Sequence, residues 1–145
     1  MLSHKVQQLP IIGKTGEVIG LVMLQDLHSE LVGELKAVIM AGGLGTRLRP
    51  LTDAMPKPML PVGNQPIMEH VVKRLRESGI REVVVSTHYK GEMIQNHFGD
   101  GSSLGVDIRY VNEEQRFGTI GGLRLMREHL KEPFLVINGD ILTTL

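Results

Sequence analysis

Cysteine is absent from this 145-residue chain, which excludes a disulfide framework and any thiolate metal site and is compatible with a reducing compartment. Neither sign of charge is in excess, because sixteen Lys and Arg balance sixteen Asp and Glu. No whole-chain field exists to draw in nucleic acid or an anionic membrane, so any attraction for phosphate has to be local. No apolar run approaches the ~20 residues needed to span a bilayer. Met1-Leu2-Ser3-His4-Lys5 lacks the apolar core of a secretory leader. These absences point to a cytoplasmic protein with no membrane and no nucleic-acid partner. Internal repeats and low-complexity tracts are also missing. None of His4, His28, His70, His88, His97 and His129 forms a metal-type pair, and only His88, which follows an apolar run, is placed to reach a site. What remains is an ordinary globular composition, 41% hydrophobic, in a chain long enough to bury roughly 70% of its unfolded surface.

Glycine and proline are concentrated in one informative stretch. The run Val38-Ile39-Met40-Ala41-Gly42-Gly43-Leu44-Gly45-Thr46-Arg47-Leu48-Arg49-Pro50 is followed by Met55-Pro56-Lys57-Pro58. Residues 36–40 have the apolar character of a strand covered on both faces. The glycines after it allow a sharp turn in which backbone amides come close to a ligand and form an anion-binding concavity. Arg47, Arg49 and Lys57 can bring fixed positive charge to phosphate oxygens, and the prolines stiffen the segment that carries Lys57. The layout suits a nucleoside triphosphate. It is neither of two better-known phosphate loops. The Walker spacing to Gly-Lys-Ser/Thr is absent, and Leu48 stands where a dinucleotide fingerprint needs its third glycine.

Periodicity supplies the frame. Pro66 can open a helix in which Ile67, Met68, Val71, Val72 and Leu75 share one face, with Gly79 ending it. Residues 82–87 read as a second strand, and 91–98 as a short helix with Met93, Ile94 and Phe98 apolar. Residues 106–111 form a third strand, 121–130 a helix carrying Leu123, Leu125, Met126 and Leu130, and 133–137 a fourth strand. Alternation of strand and helix predicts an α/β, Rossmann-like, mostly parallel sheet flanked by helices. The glycine turn and Asp140 then both lie past strand carboxyl ends, where open α/β sheets bind ligands. Before residue 35 the pattern differs. Two apolar runs, at 9–12 and 18–24, are separated by Gly13-Lys14-Thr15-Gly16-Glu17 and predict a hairpin, with Asp26 capping a short helix through residue 34.

Gly42-Gly43-Leu44-Gly45-Thr46-Arg47-Leu48-Arg49-Pro50-Leu51-Thr52 with Pro56-Lys57-Pro58 resembles the signature of the sugar-1-phosphate nucleotidylyltransferases, particularly the mannose-1-phosphate guanylyltransferase-like branch. The likeness continues through residues 60–67, His88-Tyr89-Lys90, Phe98-Gly99-Asp100-Gly101, Gly118-Thr119 and Asn138-Gly139-Asp140. It implies that residues 35–145 are the N-terminal part of a catalytic domain, an incomplete one. It also implies transfer of a nucleoside monophosphate from a triphosphate, GTP favoured, to a sugar 1-phosphate of mannose or hexosamine type. Carried over by position, Ala41, Gly42 and Gly43 approach base and ribose, and Gly45, Thr46 and Arg47 line the triphosphate. Arg47 and Lys57 are catalytic, Gly118 and Thr119 approach the base from a second loop, and Asp140 is the first aspartate for Mg2+. The second loop departs from the family pattern Glu-x-Pro-Leu-Gly-Thr-Ala-Gly. Here Glu114-Gln115-Arg116-Phe117-Gly118-Thr119-Ile120-Gly121 has no proline, and Ile120 replaces a small residue.

Residues 1–34 resemble the closing part of a CBS domain, through Gly20-Leu21-Val22-Met23-Leu24-Gln25-Asp26-Leu27. A complete CBS module would imply an adenine-nucleotide effector. A non-catalytic nucleotide sensor or scaffold is the alternative reading, and the presence of Arg47, Lys57 and Asp140 together favours the enzyme. The family's second metal aspartate has no counterpart up to Leu145. The chain therefore reads as a fragment, with an unpaired sheet edge and a partly uncovered helical layer that favour association into homo-oligomers or partial unfolding. The expected outcome of a steady-state pyrophosphate-release assay on these 145 residues is little or no turnover, and full activity would contradict the fragment reading.

Overall fold

The computed structural model describes residues 8–12, 15, 17–23, 35–113, 118–128 and 132–141. The chain divides into two compact units, Met1–Glu34 and Leu35–Leu145. In the first, β1 (Gln8–Ile12) and β2 (Val18–Met23) pair antiparallel, with a register shift between Ile11 and Ile12. This is the hairpin that the two apolar runs predict. The helix expected from Asp26 lies outside the described residues.

The second unit follows the strand and helix alternation. β3 (Lys36–Met40) leads through the glycine turn to α1 (Leu51–Ala54) and a 3-10 turn at Lys57–Met59. A two-residue ribbon follows, β4 (Pro61–Val62) with β5 (Gln65–Pro66), and then α2 (Ile67–Glu77), β6 (Glu82–Thr87), α3 (Gly91–Phe98), β7 (Asp107–Asn112), α4 (Gly118–Leu125) and β8 (Phe134–Asn138). The main sheet has the order β7-β6-β3-β8, and all three of its pairings are parallel. Its two central strands read as near-continuous apolar runs because both faces are covered: Ala37, Val38 and Ile39 have no exposed surface, and residues 83–87 are all buried.

Strand alternation sorts that core into two faces. Val38 and Val84 pack with Met126, and Met40, Val111, Leu123 and Phe134 border them. Residues of the opposite parity, Ile39, Val83, Val85 and Ile108, are buried on the other side, and Met68, Val71, Val72 and Leu75 of α2 and Ile94 and Phe98 of α3 are buried as well. Ile67 is half-buried, while Met93 and Leu125, placed on apolar faces by periodicity, are exposed. α2 ends as expected, with Gly79 at φ 91 and its amide bonded to the Arg76 carbonyl at 3.0 Å.

Three elements differ in their bounds from the periodic reading. The third and fourth strands each sit one residue later than 106–111 and 133–137. The helix expected at 121–130 instead spans Gly118–Leu125. Its end is tightened by bonds from the Met126 amide to the Leu123 carbonyl and from the Arg127 amide to the Arg124 carbonyl. Such three-residue closures turn the chain out of the α-helical path, so Met126 reaches the core from a turn.

α2 and α3 are tied by Glu69, whose carboxylate meets Lys73 Nζ at 2.8 Å and His97 Nε2 at 2.9 Å. The hydrogen bonds from Lys73 and then His97 hold this carboxyl below the ordinary glutamate value of 4.5. A depressed carboxyl contributes stability that is whole above its unfolded pKa and is lost as pH falls through the folded one. The stability difference between the native protein and Glu69→Gln, measured by urea unfolding, is therefore expected to be largest above pH 4.5 and to shrink below it. A difference that stays constant through that window would exclude the linkage.

Glycines with positive φ allow a second test. Gly101 (φ 83) would place a Cβ 2.5 Å from Ile108 Cγ1, whereas Gly63 (φ 67) has nothing within 4 Å of the same position. Gly63→Ala carries only the left-handed backbone cost of roughly 1–2 kcal/mol. Gly101→Ala adds an overpacking cost of about 1–3 kcal/mol. Urea midpoints should rank native, Gly63→Ala, Gly101→Ala in falling order; equal losses would show that the clash is relieved without cost.

Candidate active site at the strand ends

Parallel pairing puts the carboxyl ends of β3, β6, β7 and β8 on one rim, and backbone hydrogen bonds extend the ladder past the strands. The Ala41 amide donates to the Ser86 carbonyl at 2.8 Å, the Glu113 amide to Thr87 at 2.8 Å, and the Gly139 amide to Met40 at 3.0 Å. A cleft of about 300 Å³ opens above this platform, lined by Met40, Ala41, Gly42, Gly43, Gly45, Lys57, Pro58, Glu113, Asn138 and Asp140. Its floor is glycine backbone. A Cβ on Gly42 would sit 3.3 Å from that of His88, so the chain passes too close to the β6 end for a larger residue without displacement.

The turn is held in shape by its own sequence. Gly45 takes φ 63, and a Cβ there would come within 2.7 Å of Thr52 Cγ2; this position requires glycine. Thr52, buried on α1, donates from Oγ1 to the Gly45 carbonyl at 2.9 Å. The far end of α1 is gripped from the loop after β6, where Tyr89 Oη donates to the Thr52 carbonyl at 3.3 Å and Lys90 Nζ to that of Asp53. Pro56 and Pro58, both buried, flank Lys57 and fix its backbone.

Lys57 Nζ forms an ion pair with the Asp140 carboxylate, so the proline-clamped cation and the strand-end acid, 83 positions apart in sequence, meet in the cleft. Ala41, Gly42, Gly43 and Gly45 line it with them. Thr46 and Arg47 do not: they follow Gly45 on a 3-10 turn, Thr46–Leu48, with both side chains exposed. Gly118 and Thr119 are the first two residues of α4. Among the described residues no group of three or more His, Cys, Asp or Glu could hold a metal by itself.

Glu113 is a lining residue that the sequence reading passed over. It directly follows β7, is 6% exposed, and its carboxylate accepts a hydrogen bond from Ser86 Oγ, which is fully buried. His88 Nδ1 donates to the Glu113 carbonyl at 2.6 Å, which requires the Nδ1–H tautomer. The signal for it was the one used for Asp140, an acid just past the carboxyl end of a parallel strand. At the opposite, amino-terminal end of the strands a smaller hollow is lined by Lys36, Glu82, Asp107, Arg109, Glu128 and Glu132. Its two cations are paired, Lys36 with Glu82 at 2.9 Å and Arg109 with Asp107 at 3.4 Å, and Glu128 and Glu132 add negative charge, which does not suit a phosphate ligand.

A family model described as nucleotidyl transferase matches residues 36–145. The chain belongs to the nucleotidyl transferase family. The mannose-1-phosphate guanylyltransferase of Mycobacterium tuberculosis is 44% identical over 111 residues, which cover 76% of this chain and 31% of that protein. The N-acetylmuramate alpha-1-phosphate uridylyltransferase of Neisseria meningitidis is 42% identical over 111 residues, 75% of this chain and 48% of that protein. Among solved structures, HddC from Yersinia pseudotuberculosis complexed with GMP-PN matches with a TM-score of 0.65 at 29% identity, over 73% of this chain and 48% of that one. The chain spans about a third to a half of the length of the curated relatives it matches. Those relatives are sugar-1-phosphate nucleotidyltransferases, as the motif resemblance implied, and no described helix is long and apolar enough to cross a membrane.

Thr52→Val keeps the shape of the buried side chain and removes its bond to the Gly45 carbonyl. Urea unfolding is expected to show a loss of about 0.5–1.5 kcal/mol, together with weaker nucleotide binding measured by calorimetry. Unchanged binding would mean that the glycine turn keeps its shape without Thr52.

Proposed function

We propose that this protein is the nucleotide-binding part of an enzyme that transfers a nucleoside monophosphate from a triphosphate, GTP by preference, to a sugar 1-phosphate. The observation that carries this reading is the meeting of Lys57 and Asp140 in a glycine-floored cleft at the strand ends. In the reaction a phosphate oxygen of the sugar 1-phosphate attacks the α-phosphorus. One P–O bond forms to the nucleotide, the α–β P–O bond breaks, and pyrophosphate leaves. Such chemistry needs positioning and charge neutralisation rather than a nucleophilic side chain.

Each residue has a role under this reading. Gly42, Gly43 and Gly45 admit the nucleotide against bare backbone, and Lys57 exchanges Asp140 for phosphate oxygens and offsets charge that develops at the reacting end. Arg47, exposed on the turn after Gly45, adds a second cation by folding onto the triphosphate, and Thr46 borders the same phosphates. Gly118 and Thr119 approach the base from α4. The Asp140 carboxylate with few neighbouring acids fits Mg2+ held chiefly by phosphate oxygens and waters, as that ion prefers. When bound, Mg2+ supplies further charge neutralisation and polarises the attacked phosphorus. An acid at this position supports the enzyme over a binding-only sensor. The first unit is carried as the end of a CBS module, which would bring adenine-nucleotide regulation.

Calorimetric titration tests the site. Lys57→Ala is expected to lower GTP affinity about tenfold, the worth of one charge-assisted contact, and to leave guanosine binding unchanged. Asp140→Asn is expected to bind GTP no more weakly than the native protein without magnesium, and to lose the gain in affinity that magnesium gives the native protein. Equal effects of Lys57→Ala on GTP and guanosine would overturn the assignment of Lys57 to the phosphates. An unaltered magnesium response in Asp140→Asn would overturn that of Asp140 to the metal.

A further inference from the structure

A single helical turn does not hold itself in water, because nucleation fixes several residues in return for one hydrogen bond. α1 is such a turn, four residues long, with Thr52 as its one buried side chain. In sequence it stands between the glycine turn and Lys57, and it bears on the shape of the first, since Thr52 Oγ1 reaches the Gly45 carbonyl at 2.9 Å. Its last carbonyls have no partner within the helix and are met from the loop after β6. Tyr89 Oη donates to the Thr52 carbonyl at 3.3 Å and to that of Asp53 at 3.4 Å, and Lys90 Nζ donates to Asp53 as well. The ammonium also lies 5.4 Å from the centre of the Tyr89 ring, so the two side chains form one clamp. Lys90 holds φ 51 and ψ 36, and among the described residues it is the one residue other than glycine with a positive φ. Glycine would make that turn without strain. A held outlier of this kind points to a side chain whose position matters, and the position of this one is on α1.

We infer that Lys90, together with Tyr89, is a positioning residue for the triphosphate, acting through α1 and Thr52 on the Gly45 end of the glycine turn. This inference rests on the nucleotidyl-transfer reading above. The two ends of the turn are held differently. At its start the Ala41 amide donates to the Ser86 carbonyl at 2.8 Å, and Gly42 passes close to His88. The part that faces base and ribose under that reading is therefore fixed by the sheet. At its far end the Gly45 carbonyl accepts from the Leu48 amide at 2.9 Å and from Thr52, both of them on the segment that follows. That segment carries Arg47, so the phosphate end of the turn stands or shifts with α1. Lys90 is not among the residues that line the cleft, and its effect reaches the nucleotide through backbone. Without the clamp α1 samples more positions, and a triphosphate has to order Gly45 and Arg47 before it can use them, which lowers its affinity.

Lys90→Gly separates position from folding, because glycine takes up this backbone at no steric cost while the clamp loses its ammonium. Calorimetric titration of the 145-residue variant is expected to show GTP binding weakened about fivefold, the lower end of coupling between separate sites, with guanosine binding unchanged. A merely structural role would loosen the whole cleft and weaken both ligands alike. Equal weakening of GTP and guanosine, or GTP bound as tightly as by the native chain, overturns the inference. The route is tested by a double-mutant cycle with Thr52→Val. Once the Thr52 hydroxyl is gone, Lys90→Gly should cost GTP binding nothing more. Losses that simply add would overturn the route through α1 and make Lys90 a direct phosphate contact. Absence of GTP binding by the native chain would overturn the nucleotidyl-transfer reading itself, whereas native binding that Lys90→Gly leaves unmoved overturns only the role of the clamp.

Discussion

Parallel register is the constraint on which this protein depends. β3 pairs on one side with β6 and on the other with β8, Ala37 standing opposite both Val83 and Leu135. All strand carboxyl ends therefore arrive together, and the amides of Ala41, Glu113 and Gly139 carry the hydrogen-bond ladder one step beyond the strands. That extension fixes, at the level of the backbone, where the glycine turn, the β7 exit and the β8 exit stand relative to one another. Side chains then give the platform its chemistry. A one-residue slip of any strand would turn its core residues to the opposite face and carry its exit residue off the rim.

The electrostatics of the cleft follow from what each charge can exchange. Lys57 and Asp140 keep 32% and 24% of their side-chain surface, and partly solvated pairs of this kind contribute little to stability, typically ~0–1 kcal/mol. The pair can thus be parted by a ligand at small cost, as the proposed roles of Lys57 toward phosphate and Asp140 toward a cation require. Glu113 is different, more buried and held by a fully buried Ser86. The cleft thus combines one exchangeable pair with one fixed acceptor.

Much of this was legible in the sequence because the decisive signals are local. A buried strand of apolar residues, a glycine turn and prolines on both sides of Lys57 need no tertiary information, and the alternation of strands and helices predicted the parallel sheet. What stayed hidden depended on geometry. The helix after residue 117 begins three residues earlier than its apolar periodicity indicated, because glycines at 118, 121 and 122 carry no periodic signal, and a tight turn ends it at Leu125. Arg47 reads from sequence as a phosphate ligand, yet its turn leaves the guanidinium exposed. Glu113 gave no local motif. Its setting comes from Ser86, 27 positions away, and from Gly42 and Gly122, which leave space around its carboxylate.

The central claim is that the strand-end cleft is a nucleotide site, and amide chemical shifts read its occupancy directly. Titration of the isotopically labelled protein with magnesium and a non-hydrolysable GTP analogue should shift the amides of Gly42, Gly43, Gly45, Lys57 and Asp140, and leave those around Lys36 and Arg109 at the opposite strand ends in place. Shifts confined to that opposite end, or a titration that moves none of the cleft amides, would contradict the account.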